Sequence, residues 1–457
     1  MRLSLGTIGL AAALVVVGCD RPFVDEIEPE ITVVSPRLSD VQTGDSLTLV
    51  VRAATFRAIA HVEANGRAMV RTNDSLWSGR VGLSEGLNRL HLTATDEGGV
   101  ARTTTEYALR LQASATSVAL GFARSGHTVT RLLDGRLLVT GGVERTGASA
   151  RDDAFLLDPV SFVATPIPNR MNVGRTGHTA TRLPNGKVLI LGGTRADGSR
   201  TLSDLVQTAE LYDPATTRFS FLLLRGAGIQ NAYHQTLLRR TPSGGVYVAV
   251  IGGEGAPSGV SSRTYGEHDD VRVFEVTDAE LVATTGASSG YGRSVGERVS
   301  GFSATPLTAL AESGGDGRAI VAAAQRQNTS TPNVVETLPL GFALDLSGIN
   351  VSPDEDATPN RARHRHAAAR LADSLVLVAA GARDAFSGIV PSANDLVGGA
   401  EVYAAGADRF FALPLGALFR YGLTATALPG GRVVLVGGMG DEGNALSSAI
   451  VVTTSLR

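Results

Sequence analysis

The sequence predicts an all-β chain in two parts, and three observations carry that prediction. A passage of short strands and tight turns recurs at intervals through the C-terminal three quarters of the chain. A second series of short strands, evenly separated by turn residues, occupies residues 31–112. The composition suits both: 457 residues with 54 glycines, 43% hydrophobic and 19% charged side chains describe an ordered, turn-rich chain too long for one ordinary domain. A net charge of -3 and the lack of a long basic run argue against nucleic acid as a partner.

The recurring passage is clearest at 175–214. Arg175-Thr176-Gly177-His178-Thr179-Ala180-Thr181-Arg182-Leu183 alternates small or β-branched with polar residues, as a half-buried strand does. Pro184-Asn185-Gly186 makes a hairpin turn, and Lys187 to Leu191 is a nearly continuous apolar run suited to a strand covered on both faces. Gly192-Gly193 stops it, and Ala209 to Pro214 supplies a third strand. The same pattern begins at Arg124, with Gly141-Gly142, and at Arg420, with Gly437-Gly438. A weaker copy starts at Arg363 and has Ala380-Gly381 in the glycine slot; another runs from His234 to Gly252-Gly253, and a degraded one from Phe302 through Ala324 has no glycine pair. Aligned on the first glycine or its substitute, the units sit at 141, 192, 252, about 323, 380 and 437. Six such units, none able to bury both faces alone, predict a six-bladed β-propeller over 115–457.

The Gly-His-Thr-Ala-Thr strands, the double glycines and the downstream Tyr212-Asp213-Pro214 resemble the bacterial kelch-repeat family. The resemblance covers about residues 115–457 and implies a six-bladed kelch-like β-propeller preceded by a small Ig-like β-sandwich. It departs from the family in the outer strands, because the only tryptophan, Trp77, lies outside the repeats.

Residues 1–19 read as an export leader. Arg2 supplies the positive start, and Ile8 to Val17 is too short to span a bilayer as a helix. Cys19, the only cysteine, follows directly in Val16-Val17-Gly18-Cys19, which resembles a lipoprotein lipobox with valine in place of the usual leucine. The resemblance implies a diacylated Cys19 as a membrane anchor, and places the protein in the cell envelope on the periplasmic or cell-surface side. A single cysteine excludes an intramolecular disulfide. Residues 20–30 are an acidic tether.

Seven strands are expected in the sandwich: Ile31 to Ser35, Ser46 to Ala53, Ile59 to Ala64, Ala68 to Arg71, Leu76 to Val81, Leu87 to Ala94 and Arg102 to Leu111, with Trp77 as a core anchor. Its late strand, Gly86 to Gly99, resembles that of bacterial Ig-like modules. Asp96 and Glu97 read as a polar hairpin turn. The last repeat runs out after its third strand, so Thr116 to Gly121 is expected to supply its outer strand and stitch the ends together.

Long insertions, Glu254 to Asp270, Gly286 to Arg298, Ser352 to Ala362 and Ala382 to Gly398, fall between strands two and three or between units, which puts them on one face. Arg124, Arg175, Arg363 and Arg420 open the first strands and are expected at the channel mouth, with Tyr233 and Tyr291 near. They carry two readings: forked hydrogen bonds to an anionic or sugar-like ligand, or ion pairs to neighbouring blades through acids such as Asp153, Asp204 or Asp270. His127, His178 and His366 recur in register, either as ties between blades or as metal ligands; the repeat favours ties, and no metal or cofactor is expected. Gly141, Gly142, Gly192, Gly193, Gly252, Gly253, Gly437 and Gly438 are structural. The copper radical chemistry of some kelch-like proteins needs a tyrosine–cysteine cross-link, which Cys19 cannot provide. The expected function is non-catalytic recognition of an envelope protein or glycan, the alternative a propeller hydrolase or lyase acting on polysaccharide.

Overall fold

The computed structural model describes residues 27–199, 201–226, 228–255, 266–267, 271–284, 300–308, 318–327, 335–345, 350–352, 359–383 and 392–456. The leader, Cys19, most of the tether, Tyr291, Asp270 and much of the four long insertions lie outside the described residues. The chain is all-β and divides into two compact units. One is formed by residues 27–37 with Ser46–Gly82 and Arg89–Glu106; the other by Leu38–Asp45, Leu83–Asn88 and the described residues from Tyr107 onward.

Two four-stranded sheets are built from the N-terminal strands. The first has the order Glu30–Ser35, Ser46–Ala54, Leu76–Gly82, Val70–Arg71; the second runs Arg67–Ala68, Ile59–Ala64, Gly86–Asp96, Ala101–Arg110. In Ser46–Ala54 the side chains of Leu47, Leu49, Val51 and Ala53 are buried while their neighbours face outward, the period of two that one covered face imposes. The expected strand at 68–71 is two short ones on either side of buried Met69, each paired into a different sheet. Trp77 is buried as anticipated. Asp96 closes a hairpin, its carboxylate accepting the Val100 amide at 2.8 Å.

In the second unit six four-stranded antiparallel meanders are present among the described residues. Their first strands are Thr128–Arg131, Thr179–Arg182, Gln235–Arg240, Ser303–Pro306, Ala367–Ala372 and Thr424–Leu428. The degraded fourth repeat thus forms a four-stranded set like the others. Each first strand lies against the next in sequence, and the sixth lies against the first, so the cycle closes. The outer strands of meanders two and three are also joined edge to edge, Leu223–Arg225 beside Glu280–Val282.

The apolar second strands explain this packing. Leu137 and Val139 point into a core shared with Val434 and Val436 of meander six, whereas Leu138 enters a core shared with Val188 and Ile190 of meander two. Alternate side chains of one strand therefore serve two neighbours, which is why the run is apolar on both faces. Equivalent clusters join meanders two and three, three and four, four and five, and five and six.

Closure uses a strand from the far end of the sequence. Ala113–Ala119 pairs antiparallel with Ser448–Thr454 along its whole length and becomes the outer strand of meander six, beginning and ending slightly earlier than expected. A second N-terminal segment adds to meander five: the Val41 amide donates to the Ala412 carbonyl at 2.9 Å, and the Ala412 amide to Ser39 at 2.7 Å. Val41, Leu109 and Leu111 are buried in the core between meanders five and six.

Candidate binding site

The four repeated arginines, expected at a channel mouth, are buried. Arg175 and Arg363 are 0% exposed, Arg124 3% and Arg420 8%. Each lies at the entry to its own first strand and ties that entry to its own third strand. Arg175 donates to Glu210 at 2.5 Å and to the carbonyls of Gly192 and Thr208. Arg363 repeats this with Glu401 at 2.7 Å and the carbonyls of Ala380 and Gly399. Arg124 forks onto both oxygens of Asp153 and also reaches Glu144. The acids belong to the same meander rather than a neighbouring one, and Asp204 is held by Ser199 and Thr201 instead. Meander three inverts the pair: Asn231 holds the arginine position, and Arg272 on the third strand donates to its side-chain oxygen.

Each of the repeated histidines ties its own meander to the one before it. His178 Nε2 lies 3.1 Å from Thr128 Oγ1 and 3.0 Å from Thr140 Oγ1; His127 reaches Thr424 at 3.3 Å, and His366 reaches Ser303 at 2.8 Å. His234, the equivalent in meander three, reaches Thr179 at 3.0 Å. Burial, reinforced by Arg124 and Arg363, lowers His127 and His366 to about 3, so the rings are neutral. No group of three or more potential metal ligands occurs among the described residues.

The double glycines have separate tasks. A Cβ on the first would meet the histidine of the next meander: His178 Cε1 2.9 Å from Gly141, His234 Cε1 2.8 Å from Gly192, His127 Cε1 3.0 Å from Gly437. A Cβ on the second, as at Gly142, Gly193 and Gly253, would strike the histidine of its own meander. Where alanine replaces the first glycine, at Ala380, the residue at the next histidine position is Leu423.

The residues that do reach the axis lie two places after the arginines. Gly126, Gly177, Tyr233, Gly301, Arg365 and Gly422 all adopt positive φ, between 48° and 64°. Their backbones form a closed ring of six hydrogen bonds. The amide of each donates to the carbonyl of its counterpart in the preceding meander, and Gly126 donates to Gly422, at 2.7 to 3.3 Å. Four of the six are glycines, as a left-handed backbone favours. The two exceptions place large side chains over the ring. The Arg365 guanidinium stacks 4.2 Å from the centre of the Tyr233 ring, and both reach Asp197, the Tyr233 hydroxyl at 3.0 Å and Arg365 at 3.4 Å. The Tyr233 ring also fills the space where a Cβ on Gly177 would stand.

Burial pushes the Tyr233 hydroxyl up, with Arg365 opposing and Asp197 and Glu254 adding to the rise. For Arg365 burial works downward, but Tyr233, Asp197 and Glu254 outweigh it and hold the group above its usual value. Glu254, itself buried, accepts from Ser300 at 2.8 Å. The cluster is thus a fixed cation on an aromatic face with two carboxylates near, an arrangement that can offer forked donors and acceptors to hydroxyl or amide groups. Tyr233 was legible as a residue near a repeat start, whereas Arg365 and Asp197 were missed. The signal was in the alignment itself, where tyrosine and arginine interrupt a column of glycine.

No protein-family model matches the chain, and no curated protein is significantly similar to it.

Proposed function

We propose that the chain is a lipid-anchored protein of the cell envelope, with an Ig-like spacer and a six-bladed kelch-type β-propeller that works as a non-catalytic binding module. Diacylated Cys19 would hold it at the membrane through two chains, where one would exchange. The ligand is an envelope protein or glycan, and it engages the axial cluster of Tyr233, Arg365 and Asp197 rather than the repeated arginines.

One observation carries this reading. A non-glycine residue in the left-handed region is strained by about 1 kcal/mol, and such strain concentrates at functional sites. Tyr233 and Arg365 occupy that region where four of the six meanders use glycine, and their side chains meet over the ring. Glycine at both positions relieves the backbone and removes the cluster. The Tyr233→Gly/Arg365→Gly protein is therefore expected to melt cooperatively near the parent temperature yet to lose capture of its ligand from envelope extract. Equal capture by parent and variant would refute the axial site, and conversion of an added polysaccharide by the parent would favour the enzyme.

A further inference from the structure

Arg420 sits in the same backbone frame as Arg175 and Arg363 but has no acid. Its Nη1 donates to the Gly437 carbonyl at 3.0 Å, as Arg175 does to Gly192 and Arg363 to Ala380, each also at 3.0 Å. It reaches the Ser448 carbonyl at 3.3 Å, matching Thr208 and Gly399 in the other two. The strand registers then equate Ala209, Ala400 and Ala449, so the residue that follows is Glu210, Glu401 and Ile450 respectively. Where the second and fifth meanders supply a carboxylate, the sixth supplies a side chain that cannot accept a hydrogen bond. Among the described residues the Arg420 Nε–H is buried without a partner, and Nη2 has only the Ser448 hydroxyl at 3.4 Å.

The built-in acids of the second and fifth meanders are held by more than their arginines. Glu210 accepts from Arg175, from the Asn172 and Val173 amides and from the Asn172 side chain. Glu401 accepts from Arg363 and the Asn360 amide. A buried guanidinium without a counterion is costly, because desolvation is not offset by an ion pair. Arg420 is also 8% exposed, against 0% for its two counterparts.

We infer that Arg420 forms a carboxylate-binding site, in which a carboxylate group from solution pairs with its guanidinium as Glu210 and Glu401 pair with Arg175 and Arg363 from within the chain. Free small carboxylates and sugar acids share this chemistry. The inference does not rest on the axial cluster.

The test is thermal melting of the full-length protein at constant ionic strength in sodium chloride, sodium acetate, sodium glucuronate and, in chloride, added glucose. Acetate is expected to raise the midpoint by about 1–3 °C over chloride at saturation, since a ligand that binds only the folded state stabilises it. Ser448→Asp, which puts an acid where the first meander has Asp153, is expected to melt higher than the parent in chloride and to lose the acetate response. If that variant does not fold, Arg420→Gln serves the same purpose and is expected to be indifferent to acetate. A response to glucuronate beyond acetate identifies a sugar acid as the better source; equal responses identify the bare carboxylate. Coincident melts in acetate and chloride overturn the inference, as do an undiminished acetate response in either variant and stabilisation by glucose equal to that by glucuronate.

Discussion

His366 and His127 show how much of this molecule rests on neutral, buried imidazole. Each is held to about 3 by burial and by a neighbouring arginine, against 6.5 in the unfolded chain. The unfolded state therefore takes up protons that the folded state refuses. Stability is fully present above pH 6.5 and falls as pH drops towards 3, by up to about 1.4 kcal/mol per pH unit for each histidine. Urea midpoints measured between pH 7.5 and 5 are expected to decline, and His366→Gln, whose amide can still reach Ser303, to decline less steeply. A flat profile would mean the histidines titrate normally. The buried ion pairs act in the same region with a different signature. Glu401→Gln leaves Arg363 uncompensated and is expected to destabilise by about 3–5 kcal/mol. Loss of the exposed Arg170–Asp152 pair is expected to change stability by less than about 1 kcal/mol.

Among the elements, the double glycine joins one meander to the next. Gly141 and Gly147 both have positive φ, 62° and 71°, so alanine is strained at either position by about 1 kcal/mol. Only at Gly141 does the new Cβ also meet His178 and the Arg175 carbonyl, whereas nothing lies within 4 Å at Gly147. Gly141→Ala is therefore expected to lower the denaturation midpoint well beyond Gly147→Ala, and equal losses would show that backbone strain alone sets the need for glycine. These contacts also explain what could be read beforehand. Alternating Thr179–Arg182, the apolar run at Val188–Leu191 and the glycine stop recur because each meander meets the same neighbour in the same way, so packing writes itself into the sequence as a repeat. The outer strands meet fewer constraints, and nothing in Arg218–Arg225 or Glu280–Ala283 announces their edge pairing. The arginines were legible as repeated residues but not as buried ones, because their acids arrive from strands some 30 residues later. The axial cluster shows in the sequence only as tyrosine and arginine interrupting a column of glycine; that the two side chains meet over one ring becomes visible only in the fold.

At the scale of the whole second unit, the cycle is held shut at two radii. On the outside, Ala113–Ala119 covers the edge of Ser448–Thr454 and joins sequence positions more than 300 residues apart. Deleting residues up to 119 uncovers that edge, and the truncated protein is expected to aggregate and to lose its single cooperative melt. At the axis, six amides close the ring. Amide hydrogen exchange at Gly126, Gly177, Tyr233, Gly301, Arg365 and Gly422 tests the closed cycle most directly. A closed ring predicts that all six exchange together in the slowest class, slowed by about 10⁴-fold or more because they open only with the whole unit. Exchange of Gly126 and Gly422 at the rate of exposed loops, with the others protected, would contradict it, since the ring would then be open between its first and last members.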